Sequence, residues 1–157
     1  MKKTGTILAS LLGLGLTTSM VIDNRTLGGD DPDVPHYLLN ESMCARYARY
    51  AAKDLSNTTY IGANAWDLAD ANRLAAPINE DEDLEGLVDN GILVPKSSIV
   101  VFYNQKVGKL RHAALYMGKN ERGEYVFAHQ YHETQTDETL QEIENKGLIP
   151  KQVIAPK

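Results

Sequence analysis

The stretch that decides the fold is RHAALYMG, at residues 111–118. It is an apolar run with one histidine near its start, and similar runs precede and follow it along the chain. Runs rich in β-branched and aromatic residues, separated by glycine-containing turns, are typical of antiparallel strands. The pattern predicts strands over Ile99–Tyr103, Leu110–Met117 and Glu124–Gln130. The second half of the chain is therefore expected to form a sheet.

Helices are predicted before this sheet. CARYARYAAKDL begins at Cys44 and repeats apolar residues at the i, i+3, i+4, i+7 and i+11 spacing of one helix face, which turns the thiol toward the core. Asn40 or Ser42 would cap this helix. A second helix is expected over Ala63–Leu74, and a short third helix before Asn90.

After the strands, the sequence predicts a late helix over Thr136–Lys146 and a final strand over Leu148–Ala155. Helices first and an antiparallel sheet second make an α+β fold, with the N-terminal helices packed on the sheet.

The N-terminus is typical of an exported protein. Lys2 and Lys3 precede an uncharged run, so residues 1–22 are predicted to be a signal peptide or a membrane anchor. The lysines should stay inside while the rest of the chain crosses, which makes residues 4–22 a possible membrane tether. Residues 23–33 are acidic and unpatterned, as a flexible linker is, and residues 34–157 form the expected folded domain.

Net charge and cysteine count limit the partners and the redox chemistry that this chain can have. The net charge of −5 provides no basic stripe for phosphates, so no nucleic acid is expected as a partner. The chain has one cysteine, and an odd thiol in an exported protein is either an intermolecular bridge or a free reactive group. We expect a monomer with a reactive thiol.

Cys44 occupies a favourable position for a nucleophile. A helix N-terminus stabilises a thiolate and lowers the cysteine pKa, and its unpaired N–H groups can hold an oxyanion. The alternative is a small buried hydrophobic residue, which a free cysteine often is.

The two strand histidines are predicted to share one side of a hairpin. If Met117 pairs with Glu124, every facing pair sums to 241 and His112 lies opposite His129. A shift of two in that sum sets Tyr131 opposite His112 and leaves His129 as a diagonal neighbour. Either register lets His112 act as a base that His129 orients, and the alternative is two polar residues on a solvated face.

These segments together resemble the NlpC and CHAP cysteine hydrolases. The resemblance covers roughly Leu38–Gln130 and is carried by CARY at residue 44, GANAW at residue 62, SSIVVF at residue 97, HAALYMG at residue 112 and VFAH at residue 126. It implies a papain-like core that hydrolyses peptide or amide bonds in peptidoglycan. By the resemblance Cys44 is the nucleophile, His112 the base and His129 the third polar residue.

Two aromatic residues are further candidates. Trp66 is either a core residue or the wall of a substrate groove, and Tyr37 would donate to an oxyanion as an upstream tyrosine does in NlpC enzymes. No cofactor or metal is expected, because His129 and His132 lie three apart on a strand and point to opposite faces.

Two other functions stay open at this point. An acyl-enzyme can be resolved by an amine or alcohol as well as by water, which would make the protein a thiol acyltransferase. A non-catalytic envelope-binding module of the same fold is the other alternative.

Overall fold

The computed structural model describes residues 34–39, 43–72, 75–78 and 84–156. The predicted signal or anchor over residues 1–22, the linker over residues 23–33, and the cap candidates Asn40 and Ser42 lie outside these residues. Within the described ranges, no helix is both long and apolar enough to cross a bilayer.

The described chain forms helices and strands in the order expected of an α+β fold. The helices are α1 (Cys44–Ser56), α2 (Ala65–Ala71), α3 (Leu84–Asp89) and α4 (Leu140–Glu144). The strands are β1 (Ala75–Pro77), β2 (Ile99–Asn104), β3 (Lys109–Lys119), β4 (Tyr125–Tyr131), β5 (Thr134–Thr139) and β6 (Leu148–Ile154). They make one antiparallel sheet in the order β1-β6-β2-β3-β4-β5. The α+β prediction is confirmed, as are the strands predicted for β2, β3, β4 and β6.

Helices cover both faces of the sheet, so each strand alternates between two hydrophobic cores. On the α1 face, α1 and α2 pack on residues such as Ala113 and Leu115. On the opposite face, which we call the α4 face, α3 and α4 pack on residues such as Phe102 and Phe127. Burial on both sides explains why the sequences of β2 and β3 are continuous apolar runs.

The alanines of α1 let the helix approach the sheet closely, because a methyl group separates the two backbones less than a longer side chain does. Ala48 and Ala51 are fully buried, whereas Arg46 and Lys53 are exposed, as the helical periodicity predicted, and Ala52 is fully buried as well. The helix ends where Asn57 adopts a left-handed φ of 58° and donates its N–H to carbonyls of the last turn.

A polar clamp fixes the segment that leads into α2. Arg49 on α1 donates to the carbonyl oxygens of Tyr60 and Gly62 at 2.9 and 2.6 Å. Gly62 has a φ of +120°, and a Cβ atom there would lie 2.8 Å from the backbone nitrogen of Leu68. Only glycine fits this close approach, which sets the position of α2 and of Trp66 on it.

The helix predicted over Thr136–Lys146 is wrong in its first half. A two-residue turn, in which His132 has a φ of 54°, folds the chain back so that Thr134 pairs with Tyr131 and β5 begins. The threonines of β5 favour a strand because their branched side chains are restricted in a helix. The helix starts only after Thr139, whose side chain forms a capping box with Glu142.

Two further predictions needed correction. The helix expected over Ala63–Leu74 is shorter, and β1 follows it. The β3–β4 register with a sum of 241 is also wrong: Leu115 pairs with Ala128, a sum of 243, and the register shifts again near Gly118. A local irregularity at Gly118 therefore moves the hairpin into the alternative register, which makes His129 a diagonal neighbour of His112.

Candidate functional site

The thiol of Cys44 lies against the backbone of β3 on either side of residue 112. Cys44 is the first residue of α1 and is buried, with 7% of its surface exposed. Its Sγ donates to the carbonyl oxygen of Arg111 at 3.8 Å, and the backbone N–H of Ala113 also hydrogen-bonds the thiol. The nucleophile candidate is thus held beside the main chain of His112.

Burial controls the acidity of this thiol. Removal from water raises the pKa of Cys44 above its ordinary value, and the backbone N–H groups of Ala113, Ala45 and Cys44 itself oppose that rise. The sequence predicted a lowered pKa from the helix N-terminus alone. The net direction in this geometry is the reverse, because the N–H groups do not outweigh the loss of hydration.

Two histidines and two charged residues form a hydrogen-bonded chain, which we call the His112–Lys146 relay. His112 Nε2 lies 2.7 Å from His129 Nδ1, and His129 Nε2 lies 3.0 Å from a carboxylate oxygen of Glu138. Lys146 Nζ donates to both carboxylate oxygens of Glu138 at 2.7 and 2.8 Å. The predicted contact between the two histidines is present, in the diagonal register.

The relay fixes the proton positions on both rings when they are neutral. A carboxylate only accepts, so His129 Nε2 carries the proton that it shares with Glu138. His129 Nδ1 is then the acceptor, and His112 Nε2 must be its donor. A neutral imidazole has one N–H, so His112 Nδ1 carries a lone pair. Within the described residues, no hydrogen bond engages that atom, which leaves it free to accept a proton.

The electrostatics of the relay favour these protonation states. Burial lowers the pKa of His112 well below its ordinary value of 6.5, and the charge of His129 lowers it further. The hydrogen bond from His129 lowers the pKa of Glu138 to about 2, against a smaller rise from burial, and the bond from Lys146 adds to the lowering. His112 is therefore neutral and Glu138 ionised near pH 7.

The thiol and the imidazole approach β3 from different sides. The ring of His112 lies 6.0 Å from that of Phe102 and 5.8 Å from that of Tyr131, on the α4 face, whereas Cys44 reaches the strand from α1. Among the residues that the structure describes, no hydrogen bond joins the thiol to either histidine. The structure brings the histidines together, and it brings Cys44 to the backbone beside them.

The strand is irregular where the thiol contacts it. The β2–β3 ladder passes from the Phe102–His112 pair to the Tyr103–Leu110 pair, so Arg111 is an extra residue in a β-bulge. The β3–β4 ladder ends at the pair of Leu115 with Ala128. β-Bulges re-aim the side chains around them, and this one lies directly before His112.

Trp66 and Tyr37 occupy different kinds of site. Trp66 is 42% exposed, so it is a surface residue and not a core residue, and the guanidinium carbon of Arg111 lies 5.3 Å from its ring centroid. Tyr37 is buried, and its hydroxyl donates to Asp54 at 2.8 Å. Asp54 is ten residues from Cys44 on α1, about 15 Å along the axis. Tyr37 therefore does not reach the thiol as the predicted oxyanion donor.

The described residues contain no cluster of histidine, cysteine or carboxylate side chains that is arranged to hold a metal ion. Sequence reasoning missed Glu138 and Lys146, because the first was assigned to a helix. The available signal was Thr139-x-x-Glu142, a capping-box spacing that would have started the helix after Glu138.

Comparisons of the chain with protein-family models, with curated proteins and with solved structures found no match.

The relay makes stability depend on pH. Glu138 has a folded-state pKa of about 2 against an ordinary 4.5, so its contribution is full above about pH 4.5 and is lost as the pH falls toward 2. The pKa of His112 is lowered from 6.5, so the unfolded chain binds a proton at this residue more readily than the folded chain does. Stability therefore also begins to fall as the pH drops below 6.5. We expect Glu138→Gln to lower the free energy of unfolding by about 1–2 kcal/mol at pH 7. In this variant the further loss of stability between pH 4.5 and pH 2, which we call the lower step, should be absent.

Thermal melts between pH 2 and pH 8 would measure both effects. Glu133→Gln, which removes the same charge from the exposed β4–β5 turn, is the matched control. An unchanged lower step in Glu138→Gln would contradict the assigned role of the carboxylate.

Proposed function

We propose that this protein is a cysteine hydrolase that cleaves peptide or amide bonds, with Cys44 as the nucleophile and His112 as the base. The observation that supports the proposal is the proton-free Nδ1 of His112, which the hydrogen bonds of the relay set up. The residues on either side of His112, Arg111 and Ala113, contact the thiol through their backbones. A nucleophile, a base and a group that orients the base are the three parts that such a reaction requires.

In the proposed reaction, His112 Nδ1 takes the proton of the Cys44 thiol, and Sγ forms a bond to the substrate carbonyl carbon. The backbone N–H groups of Ala113 and Cys44 lie beside Sγ and would donate to the resulting oxyanion. Collapse of the tetrahedral intermediate breaks the C–N bond, and the leaving amine takes the proton from His112. Water then attacks the thioester, gives a proton to His112, and releases the acid and the thiol. His129 and Glu138 hold the ring of His112 throughout.

The proposed proton transfer requires Nδ1 and Sγ to meet. The bulge at Arg111 is where this movement would occur, since Arg111 is outside the β2–β3 ladder and its carbonyl already contacts the thiol. Hydrogen bonds of a catalytic site often tighten only when substrate binds. Once His112 Nδ1 had taken the proton, the resulting imidazolium would stabilise the thiolate and oppose the burial that raises the pKa of Cys44.

The substrate and location are proposed from the sequence. The resemblance to the NlpC and CHAP hydrolases favours a cell-wall peptide, and the lysines before the uncharged run over residues 4–22 favour a position outside the cytoplasmic membrane. Fractionation of expressing cells, followed by protease treatment of the intact surface, should find the domain accessible. A protease-protected cytoplasmic protein would contradict the proposed export.

A second candidate function is a non-catalytic binding module. The burial of Cys44, its raised pKa and the placement of His112 toward the α4 face favour it, because all three are also properties of a structural thiol and a structural histidine.

Labelling of Cys44 by iodoacetamide separates these functions. The hydrolase reading expects labelling that persists at pH 6 and that His112→Ala removes, because the thiolate would depend on the imidazole. The binding-module reading expects labelling only in alkali, at equal rates in both proteins, and that result would contradict the proposed hydrolase. Product analysis with and without an added amine then distinguishes hydrolysis from acyl transfer.

A further inference from the structure

A surface pocket lies beside Arg111, the residue whose carbonyl oxygen contacts the thiol. It has a volume of about 510 Å³ and is lined by Trp66, Tyr103, Gly108, Lys109, Leu110 and Arg111. This volume is within the range of small-molecule sites, which combine an apolar lining with a few placed polar groups. The same Arg111 whose side chain lines the pocket contacts Sγ of Cys44 through its carbonyl oxygen at 3.8 Å. A ligand in the pocket would thus touch a residue whose backbone contacts the proposed nucleophile.

The pocket is basic in an acidic protein. Lys109 and Arg111 are exposed, and neither makes an ion pair within the described part of the chain. Arg111 instead places its guanidinium over the ring of Trp66, 5.3 Å from the ring centroid. This stacking orders the planar donor group and leaves its N–H edges available, which is the geometry that binds a carboxylate through two parallel hydrogen bonds.

The wall of the pocket is held in place by the β2–β3 turn. The side-chain oxygen Oδ1 of Asn104 accepts hydrogen bonds from the backbone N–H groups of Lys106 and Val107, at 2.9 and 3.3 Å. The backbone N–H of Gly108 donates to the carbonyl oxygen of Asn104 at 2.8 Å. Gly108 has a φ of 68°, which suits glycine. The turn therefore presents Lys109 and Leu110 without the ordering cost of a free loop.

We propose that this pocket binds peptides that end in a free carboxylate, with the carboxylate on Arg111 and Lys109 and the terminal side chain against Trp66 and Leu110. The proposal deepens the proposed function, because it makes the pocket a substrate subsite beside Cys44 and selects short carboxylate-bearing peptides over internal segments of proteins. Binding of the peptide in this pocket does not depend on hydrolysis by Cys44.

Trp66 is the chain's single tryptophan, so its fluorescence reports on this pocket directly. The test is a titration of full-length Cys44→Ala protein, which cannot consume the ligand, with N-acetyl-alanyl-leucine and with its C-terminal amide. We expect a saturable change in emission with the acid and at least about tenfold weaker binding of the amide. Arg111→Gln should weaken binding of the acid by about tenfold and remove the preference over the amide.

The matched control is Arg122→Gln, which removes the same charge from the exposed β3–β4 turn. Equal binding of acid and amide, an equal loss in the Arg122→Gln protein, or no saturable change with the acid would overturn the proposal. Binding without turnover by the parent protein would leave the pocket standing and remove the hydrolase. Turnover that does not depend on the substrate carboxylate or on Arg111 would support the hydrolase and contradict the carboxylate pocket.

Discussion

Replacement of Cys44 by alanine is expected to abolish hydrolysis while the domain stays folded. In the proposed mechanism Cys44 forms the covalent intermediate, so its loss removes the reaction path, and a fall of more than about 10⁴-fold in kcat is expected. The side chain is small and lies at the edge of α1, where its removal costs about 1 kcal/mol of the free energy of unfolding. Turnover of a wall-derived peptide and thermal melts would measure the two quantities.

Cys44→Ser supplies the closest control, because it keeps nearly the same size and a polar hydrogen and replaces only the sulfur. We expect it to melt near the parent protein and to be nearly as inactive as Cys44→Ala, since a hydroxyl is a much weaker nucleophile without strong activation. Parent-like turnover in Cys44→Ala would remove the enzyme proposal altogether.

Replacement of His112 by alanine should be almost as damaging as loss of the thiol. A nucleophile and its base act as one unit, so the double variant should be no worse than either single variant. His112→Ala also leaves His129 Nδ1 without its donor, which costs about 1–3 kcal/mol of stability. Thermal melts must therefore accompany the kinetics. Recovery of activity on adding imidazole, which fits the space of the lost ring, would separate a missing base from a damaged fold.

Substitutions at His129 test the relay itself. His129→Asn keeps an oxygen that can accept from His112 Nε2–H, so we expect activity within about tenfold of the parent. His129→Leu has a similar size and no acceptor, so the ring of His112 loses its orientation and activity should fall by at least about 100-fold. Equal activity in the two variants would place His129 outside the mechanism.

The sequence predicted what depends on local periodicity. The face of α1, the apolar runs of β2 and β3, and the final strand all follow from spacing that repeats within one element. The contact between His112 and His129 was also predicted. Its register depends on the irregularity near Gly118, which no sequence pattern predicts. Strand pairing depends on such single residues, so a short apolar run does not determine it.

What the sequence did not predict depends on three-dimensional burial. A helix N-terminus favours the thiolate of Cys44, but only the packed structure shows that loss of water outweighs this effect. The partner of His129 was missed for a different reason: Glu138 precedes the helical stretch by two residues, and the turn at His132 that makes it a strand residue has no glycine or asparagine to mark it.

The two outermost strands, β1 and β5, influence whether copies of this protein associate through their sheets. An outer strand with free backbone groups invites strand addition, which leads to aggregation. β1 is only three residues long and ends in Pro77, which has no N–H to donate, while the side chains of β5, TQTDET, are all polar. Both features discourage a further strand from joining. A protein that works at high local concentration near a membrane or a polymer would benefit from a sheet that does not propagate.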